Sequence, residues 1–280
     1  MGDRIAMHFD VIQTVSVNGN AQKPNDDRCG ANTHLAWVID GATDMSEPGL
    51  LGSQGGAAWL ASTASAAFAV SEARDMQKTC QTAFSRIEDQ FVAQRTREVA
   101  APWEVPKAAF AAALLIEEKL SVAWAADSPV LLMSGDDAVW CTGEPDTSAE
   151  SADALSLGPG VGAASVLSDT ALENRRAHRA RADHIALSPD AQASAGVTRY
   201  ADFDVSVGDE LLLMSDGFAS IVTDYAAYTA REMVSVIRSE GLGRIVDDLR
   251  AIEQADAACL RFPRFKVSDD ATAIWVRVSG

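Results

Sequence analysis

Apolar and polar residues alternate over 7–17, with Phe9, Val11, Val15 and Val17 set among polar partners, the period of two expected of a half-buried strand. Residues 34–39 form a second, more apolar strand. After a turn rich in Gly and Ser the period changes. Trp59, Leu60 and Phe68 recur at helical spacing within the Ala-rich stretch 55–70, and Phe84, Ile87 and Phe91 share one face of 73–99, so two helices packed by those sides are expected. Three apolar runs follow at 108–116, 120–126 and 130–133, separated by Glu-Glu-Lys and Asp-Ser-Pro, and they predict an antiparallel meander. Further on, 210–215 is a strand, 226–260 is helical with a Gly-Leu-Gly break, and 272–278 alternates as a final strand.

Strands and helices thus come in blocks rather than in strict βαβ alternation. Packed antiparallel sheets flanked by helices fit this order better than a doubly wound parallel sheet, which makes the fold class α+β. No linker-like segment divides the chain, so one domain over 1–280 is expected. Residues 143–162, loaded with Ser, Pro, Gly and acids, read as a surface excursion. Residues 173–184, ENRRAHRARADH, are a local basic island, read as a solvated helix face in preference to a patch for phosphate-bearing partners.

Charge narrows the function. Forty acidic against 23 basic residues leave a net charge of −17, which repels a nucleic-acid backbone, so no nucleic-acid partner is expected. Cys29, Cys80, Cys141 and Cys259 lie far apart without a Cys-x-x-Cys pair, which favours reduced structural thiols over a zinc site. The N-terminal stretch lacks the pattern of a signal peptide, and no run approaches the length of a membrane span. A cytoplasmic protein with no membrane role is the expectation.

The informative pattern is the placing of aspartates. Asp40 ends the run HLAWVI, Asp127 ends LSVAWAA, Asp216 follows ELLLMS and Asp269 stands just before TAIWVRV, so separate apolar strands each present a carboxylate at one terminus. Asn25-Asp26-Asp27 follows the first strand and brings further acid to the same end. Converging carboxylates repel one another unless a cation joins them, and an oxygen-only ligand set suits Mg²⁺ or Mn²⁺ rather than zinc or copper. Each acid taken singly is read as readily as a turn or capping residue; the set carries the inference.

These residues stand in an ordered series, PNDD at 24–27, VIDG at 38–41, AADS at 125–128, VGDELLLMSDGF at 207–218 and SDDATAIWV at 268–276, that resembles the type 2C metal-dependent serine/threonine protein phosphatases. The resemblance implies a four-layer α-β-β-α sandwich with two central antiparallel sheets. It implies that Asp40 bridges two metal ions, with Asp27 and the Gly41 carbonyl on one, Asp216 and Asp269 on the other, and Asp127 assisting a third, looser ion. Catalysis would then pass through Asp40 and Asp216 by direct attack of a bridging water on a phosphorylated protein substrate, and 143 to about 182 would be the variable flap.

Two departures stand out. Gln22, with Lys23 beside it, occupies the place of the arginine that grips the substrate phosphate in the family, and Lys23 lacks the planar fork of that side chain. Asp40 to Asp44 reads Asp-Gly-Ala-Thr-Asp where the family carries Asp-Gly-His-Gly-Gly, so no histidine stands there to protonate a leaving group. A slow reaction on poor leaving groups is therefore expected. The alternatives are a catalytically weak phosphatase-like binding or regulatory module and a small-metabolite phosphatase. Glycines at 52–56 lack the Gly-Lys-Ser/Thr ending of a phosphate loop and are read as a helix entry, the acids over 40–47 lack the EF-hand pattern, and Ser215, His34 and His184 are read as structural or surface residues.

Overall fold

The computed structural model describes residues 7–45, 49–51, 53, 55–72, 74–164, 169–181 and 184–280. Parts of several expectations, at Glu47, Gly52, Ala73, residues 165–168 of the flap and residues 182–183 of the basic island, lie outside them. In chain order the elements are β1 (His8–Val17), β2 (Arg28–Ala31), β3 (Leu35–Gly41), α1 (Gly56–Ala69), α2 (Met76–Gln94), β4 (Ala108–Ile116), β5 (Lys119–Ala125), β6 (Val130–Ser134) and β7 (Asp137–Trp140). Then come α3 (Ser148–Ser156), α4 (Asp169–Arg179), α5 (Ala191–Val197), β8 (Arg199–Asp204), β9 (Glu210–Met214), α6 (Asp216–Thr223), α7 (Ala230–Glu240), α8 (Leu242–Ala255) and β10 (Ala271–Ser279).

The strands form two antiparallel sheets, ordered β1-β10-β9-β6-β7 and β2-β3-β4-β5-β8. Alternation decides what each face covers. Ala36 and Val38 of β3, with Ala111, Ala113 and Leu115 of β4, point inward to meet Leu211 and Leu213 of β9 and Ile274, Val276 and Val278 of β10. The opposite residues of the second sheet, among them Leu35, Trp37, Ile39 and Phe110, pack under Leu60 and Phe68 of α1 and Phe84 and Ile87 of α2. Leu212, Met214, Ala273 and Trp275 of the first sheet meet Phe218, Met233, Ile237, Ile245 and Leu249 from α6, α7 and α8. The result is the α-β-β-α sandwich, and strands covered on both faces read as nearly continuous apolar runs for that reason.

One expectation is overturned. The runs over 108–116 and 120–126 do pair, as β4 and β5, but β6 leaves for the other sheet and lies between β7 and β9. Ala126 takes a left-handed φ of 64° that ends β5, and the Pro129 carbonyl accepts from Met214 N–H at 3.0 Å, so the chain enters the first sheet at the Asp-Ser-Pro segment. The basic island is a solvated face only in part, exposed at Glu173, Asn174, Ala177, His178, Ala180 and Arg181 but packed along its other side. Within α4 the Arg176 guanidinium lies 4.1 Å from the centre of the Trp103 ring, Arg175 lies 5.0 Å from that of Phe265, and Arg179 is buried. His184, expected as an ordinary strand-edge or surface residue, is half-buried with its ring 5.2 Å from that of His178.

This topology gathers the strand termini. Both β3 and β5 run antiparallel to β4 and so finish on one side, while β9 ends where β10 begins, with Met214 opposite Ala273.

Candidate active site

Asp40 is the penultimate residue of β3, Asp216 opens α6 directly after β9, Asp269 stands two residues before β10, and Asp127 follows the left-handed Ala126 after β5. Asp40 and Asp216 touch: the Asp216 N–H donates to Asp40 Oδ2 at 3.4 Å. Ser215, expected to be structural, is buried and joins the two strand ends, since its Oγ accepts from Thr272 N–H at 3.0 Å. That link fixes Asp216 relative to Asp269. Asp27 is placed locally, because its N–H donates to the Asn25 side chain at 2.7 Å and its carbonyl accepts from Arg28 at 2.6 Å.

Asp270 ties this segment to the rest, taking the N–H groups of Gly19 at 2.8 Å and Asp26 at 2.7 Å. Gly41 fits between two backbones. A Cβ on it would stand 2.6 Å from the Asp26 carbonyl oxygen and 2.9 Å from that of Ala57, so the chain passes there only without a side chain. Asp44 closes the loop after Gly41 by accepting from the N–H groups of Gly56 at 2.6 Å and Ala57 at 3.0 Å, the open first turn of α1. The glycine-rich stretch is thus a helix entry at its described residues.

Asp26, Asp27, Asp40 and Asp216 are held above their ordinary range. Enclosure, then the charges of Asp216, Asp27 and Asp269, push Asp40 well up; enclosure, then Asp269 and Asp127, do the same to Asp216. Burial and Asp269 raise Asp27 to about 7, and burial with Asp270 and Asp44 raises Asp26 to about 6. Geometry agrees with this mutual influence, since Asp127, Asp216 and Asp269 line one cavity and Asp216 N–H reaches Asp40. Asp27 Oδ2 is buried with no hydrogen-bond partner, an oxygen with an unused lone pair inside an acidic cleft.

A cation stands among them. Lys266 Nζ bonds Asp269 Oδ1, and although enclosure works against its charge, Asp269, Asp216 and Asp40 outweigh that and hold the ammonium above its ordinary range. With Lys266 in this place the ring of acids is open: among the described residues no three His, Cys, Asp or Glu side chains close around one point tightly enough to hold an ion as they stand. The donor chemistry, oxygens only and one of them orphaned, nonetheless fits a hard divalent cation. Gln22 and Lys23 lie exposed in the turn after β1, where Gln22 N–H and Lys23 N–H bond to Asn20 at 2.9 and 3.0 Å. Lys266 rather than Lys23 acts on Asp26, Asp127 and Asp216, with Arg28 a second cation at Asp26.

Beside the acids opens a cavity of about 330 Å³, lined by Asp127, Asp216 and Asp269 together with Tyr225, Phe262 and Phe265. The expected flap borders it through Thr147, Glu150 and Ser151. Neither Lys266 nor Asp270 was singled out by sequence. The Lys-x-x-Asp spacing over 266–269 is the only signal for the former, and it lies in an irregular segment without periodicity.

Comparisons with known proteins agree with this architecture. The structure resembles the serine/threonine phosphatase PstP/Ppp of Mycobacterium tuberculosis with a TM-score of 0.58 at 16% identity, over 99% of this chain and 100% of that one. The catalytic domain of PstP in complex with two manganese ions gives 0.57 at 16% identity, over 98% and 99% of the two chains. PppA, a regulatory component of the type VI secretion system in Pseudomonas aeruginosa, gives 0.54 at 16% identity over 97% and 98%. At these identities the likeness is one of fold. Among curated protein sequences no match is found. The protein phosphatase 2C family model, however, matches residues 18–251, a stretch that includes Asp27, Asp40, Asp127 and Asp216, and on that match the chain belongs to the protein phosphatase 2C family.

Proposed function

We propose that this chain is a metal-dependent serine/threonine protein phosphatase, and the observation that carries the reading is the cavity shared by Asp127, Asp216 and Asp269, with Asp216 N–H on Asp40 Oδ2 at 3.4 Å, inside a family match. Asp40 would lie between two ions, Asp27 and the Gly41 carbonyl serving one, Asp216 and Asp269 the other, with Asp127 available to a third. When bound, manganese or magnesium supplies positive charge to the phosphoryl oxygens and a water acidic enough to lose its proton near neutral pH. Asp40 and Asp216, which touch at the end of β3 and the start of α6, would hold the ions that supply this water. The cavity walled by Tyr225, Phe262 and Phe265 gives the substrate chain a place to lie.

At position 42 the chain offers only a methyl group, and Ala42 N–H is taken by the Lys107 carbonyl at 3.0 Å. No imidazole stands at that position to protonate the leaving oxygen, so aryl phosphates, whose leaving groups need no proton, are expected to be turned over faster than phosphoserine when chemistry limits the rate. The four thiols are free, which supports a reducing compartment, the cytoplasm.

The test is hydrolysis of an aryl phosphate and of phosphoserine peptides as a function of Mn²⁺, with Asp40→Asn alongside. Activity that depends on Mn²⁺ and falls by more than the 10–100-fold typical of an outer-shell partner in the variant is expected. Mn²⁺ binding without turnover of any phosphate ester would support a binding module instead, the reading favoured by Ala42 and by the exposed Gln22. Turnover of small phosphate esters but of no phosphopeptide would point to a metabolite phosphatase.

A further inference from the structure

Resting on the reading above, we propose that Lys266 is a tethered cation that stands in for a divalent ion in the acid cluster, holding Asp269 in the metal-free protein and leaving it when an ion binds. The ammonium bonds Asp269 Oδ1, and its charge acts on Asp26, Asp127, Asp216 and Glu150. Lys266 thus sits where the crowded acids need positive charge.

The segment that carries it is pinned along its backbone and by its neighbours, while the side chain is held at its tip, on Asp269. Arg264 bonds Asp256 at 2.7 Å and the Val267 carbonyl at 3.1 Å, and Phe265 lies under Arg175 at 5.0 Å. Gly162 packs so closely that a Cβ on it would stand 2.7 Å from Lys266 N. The Lys266 side chain itself remains 44% accessible and faces the 330 Å³ cavity, so it has room to swing away without moving the backbone. A lysine suits this task because its ammonium is a compact, strongly hydrated charge on a flexible stem, and water receives it readily once a denser charge takes the carboxylates.

Competition for the same oxygens has a defined sign. A divalent ion entering beside Asp269 must displace one positive charge and then tolerate it nearby, so the lysine weakens metal binding while it stabilises the metal-free fold. Removing it reverses both.

Calorimetric titration of Mn²⁺ into the full chain and into Lys266→Met, with thermal unfolding of each at zero and saturating Mn²⁺, tests this. Lys266→Met is expected to bind Mn²⁺ about tenfold more tightly, to melt at lower temperature without metal, and to gain more from added Mn²⁺ than the parent. Lys266→Arg, which keeps the charge, is expected to bind no more tightly than the parent. Equal Mn²⁺ affinity and an equal gain in melting temperature for parent and Lys266→Met would overturn the proposal. If Lys266→Met folds only with metal, circular dichroism against Mn²⁺ reports the same competition and supports it. Failure of Lys266→Met to fold at any Mn²⁺ concentration, with Lys266→Arg folded, would overturn it, since the lysine would then be needed for more than its place among the acids. A parent protein that binds no Mn²⁺ contradicts the phosphatase reading itself, a different outcome from equal affinities.

Discussion

At the scale of single residues the site depends on small groups as much as on acids. Gly41 lets β3 pass between the Asp26 and Ala57 carbonyls, both of them backbone atoms with little freedom to give way. Gly41→Ala is therefore expected to destabilise the fold by about 1–3 kcal/mol, the usual range for overpacking, and to weaken Mn²⁺ binding by shifting the neighbouring Asp40 and Asp26. Urea unfolding and calorimetric titration check the two halves; a variant as stable and as tight-binding as the parent would show that the close approach is dispensable. The carboxylates on the apolar strands were legible because a strand end announces itself locally, in runs such as ELLLMS before Asp216. Asp270 and Lys266 were not, since one works through the backbone of Gly19 and Asp26 and the other through a cleft assembled from remote segments.

At the scale of elements, what could be read was what burial dictates. Strands β3, β4, β9 and β10 carry almost unbroken apolar runs, and α1 and α2 carry one apolar face each, so all of these were found to within a few residues. Three short strands escaped: β2 is half-buried throughout, and β7 and β8 lie at sheet edges with mostly exposed or half-buried residues. The crossover to β6 also escaped, because a turn sequence marks where a strand stops and says nothing of which sheet the next one joins. Within the last helical stretch the break was correctly placed. Gly241 takes a φ of 86°, and Leu242 N–H finds the Gln13 side chain at 2.8 Å, so α7 and α8 are separate helices. Thr229 begins α7 with a reciprocal capping box to Glu232, and Thr229→Ala is expected to lower stability by about 1 kcal/mol without altering Mn²⁺ affinity, measured by chemical denaturation and by titration. An unchanged denaturation midpoint would show that water replaces the cap.

At the scale of the molecule, the excess of acid behind a net charge of −17 matters most at one end of the sandwich, where strands from both sheets deliver Asp127, Asp216 and Asp269 to one cavity. The two sheets and their helical covers supply the rigid frame, and the charge at the strand ends supplies the need for cations. Family membership and fold rest on the match over 18–251 and on the four-layer packing; the roles proposed for the individual aspartates rest on the cavity that Asp127, Asp216 and Asp269 line and on the contact of Asp216 with Asp40. Anomalous diffraction at the manganese edge from crystals of this chain soaked in Mn²⁺ tests that sharing directly. Two ions, with Asp40 between them and Asp27, Asp216 and Asp269 coordinating at about 2.1 Å, are expected. Anomalous density absent from the cleft at saturating Mn²⁺, or found only on scattered surface carboxylates, would contradict the account.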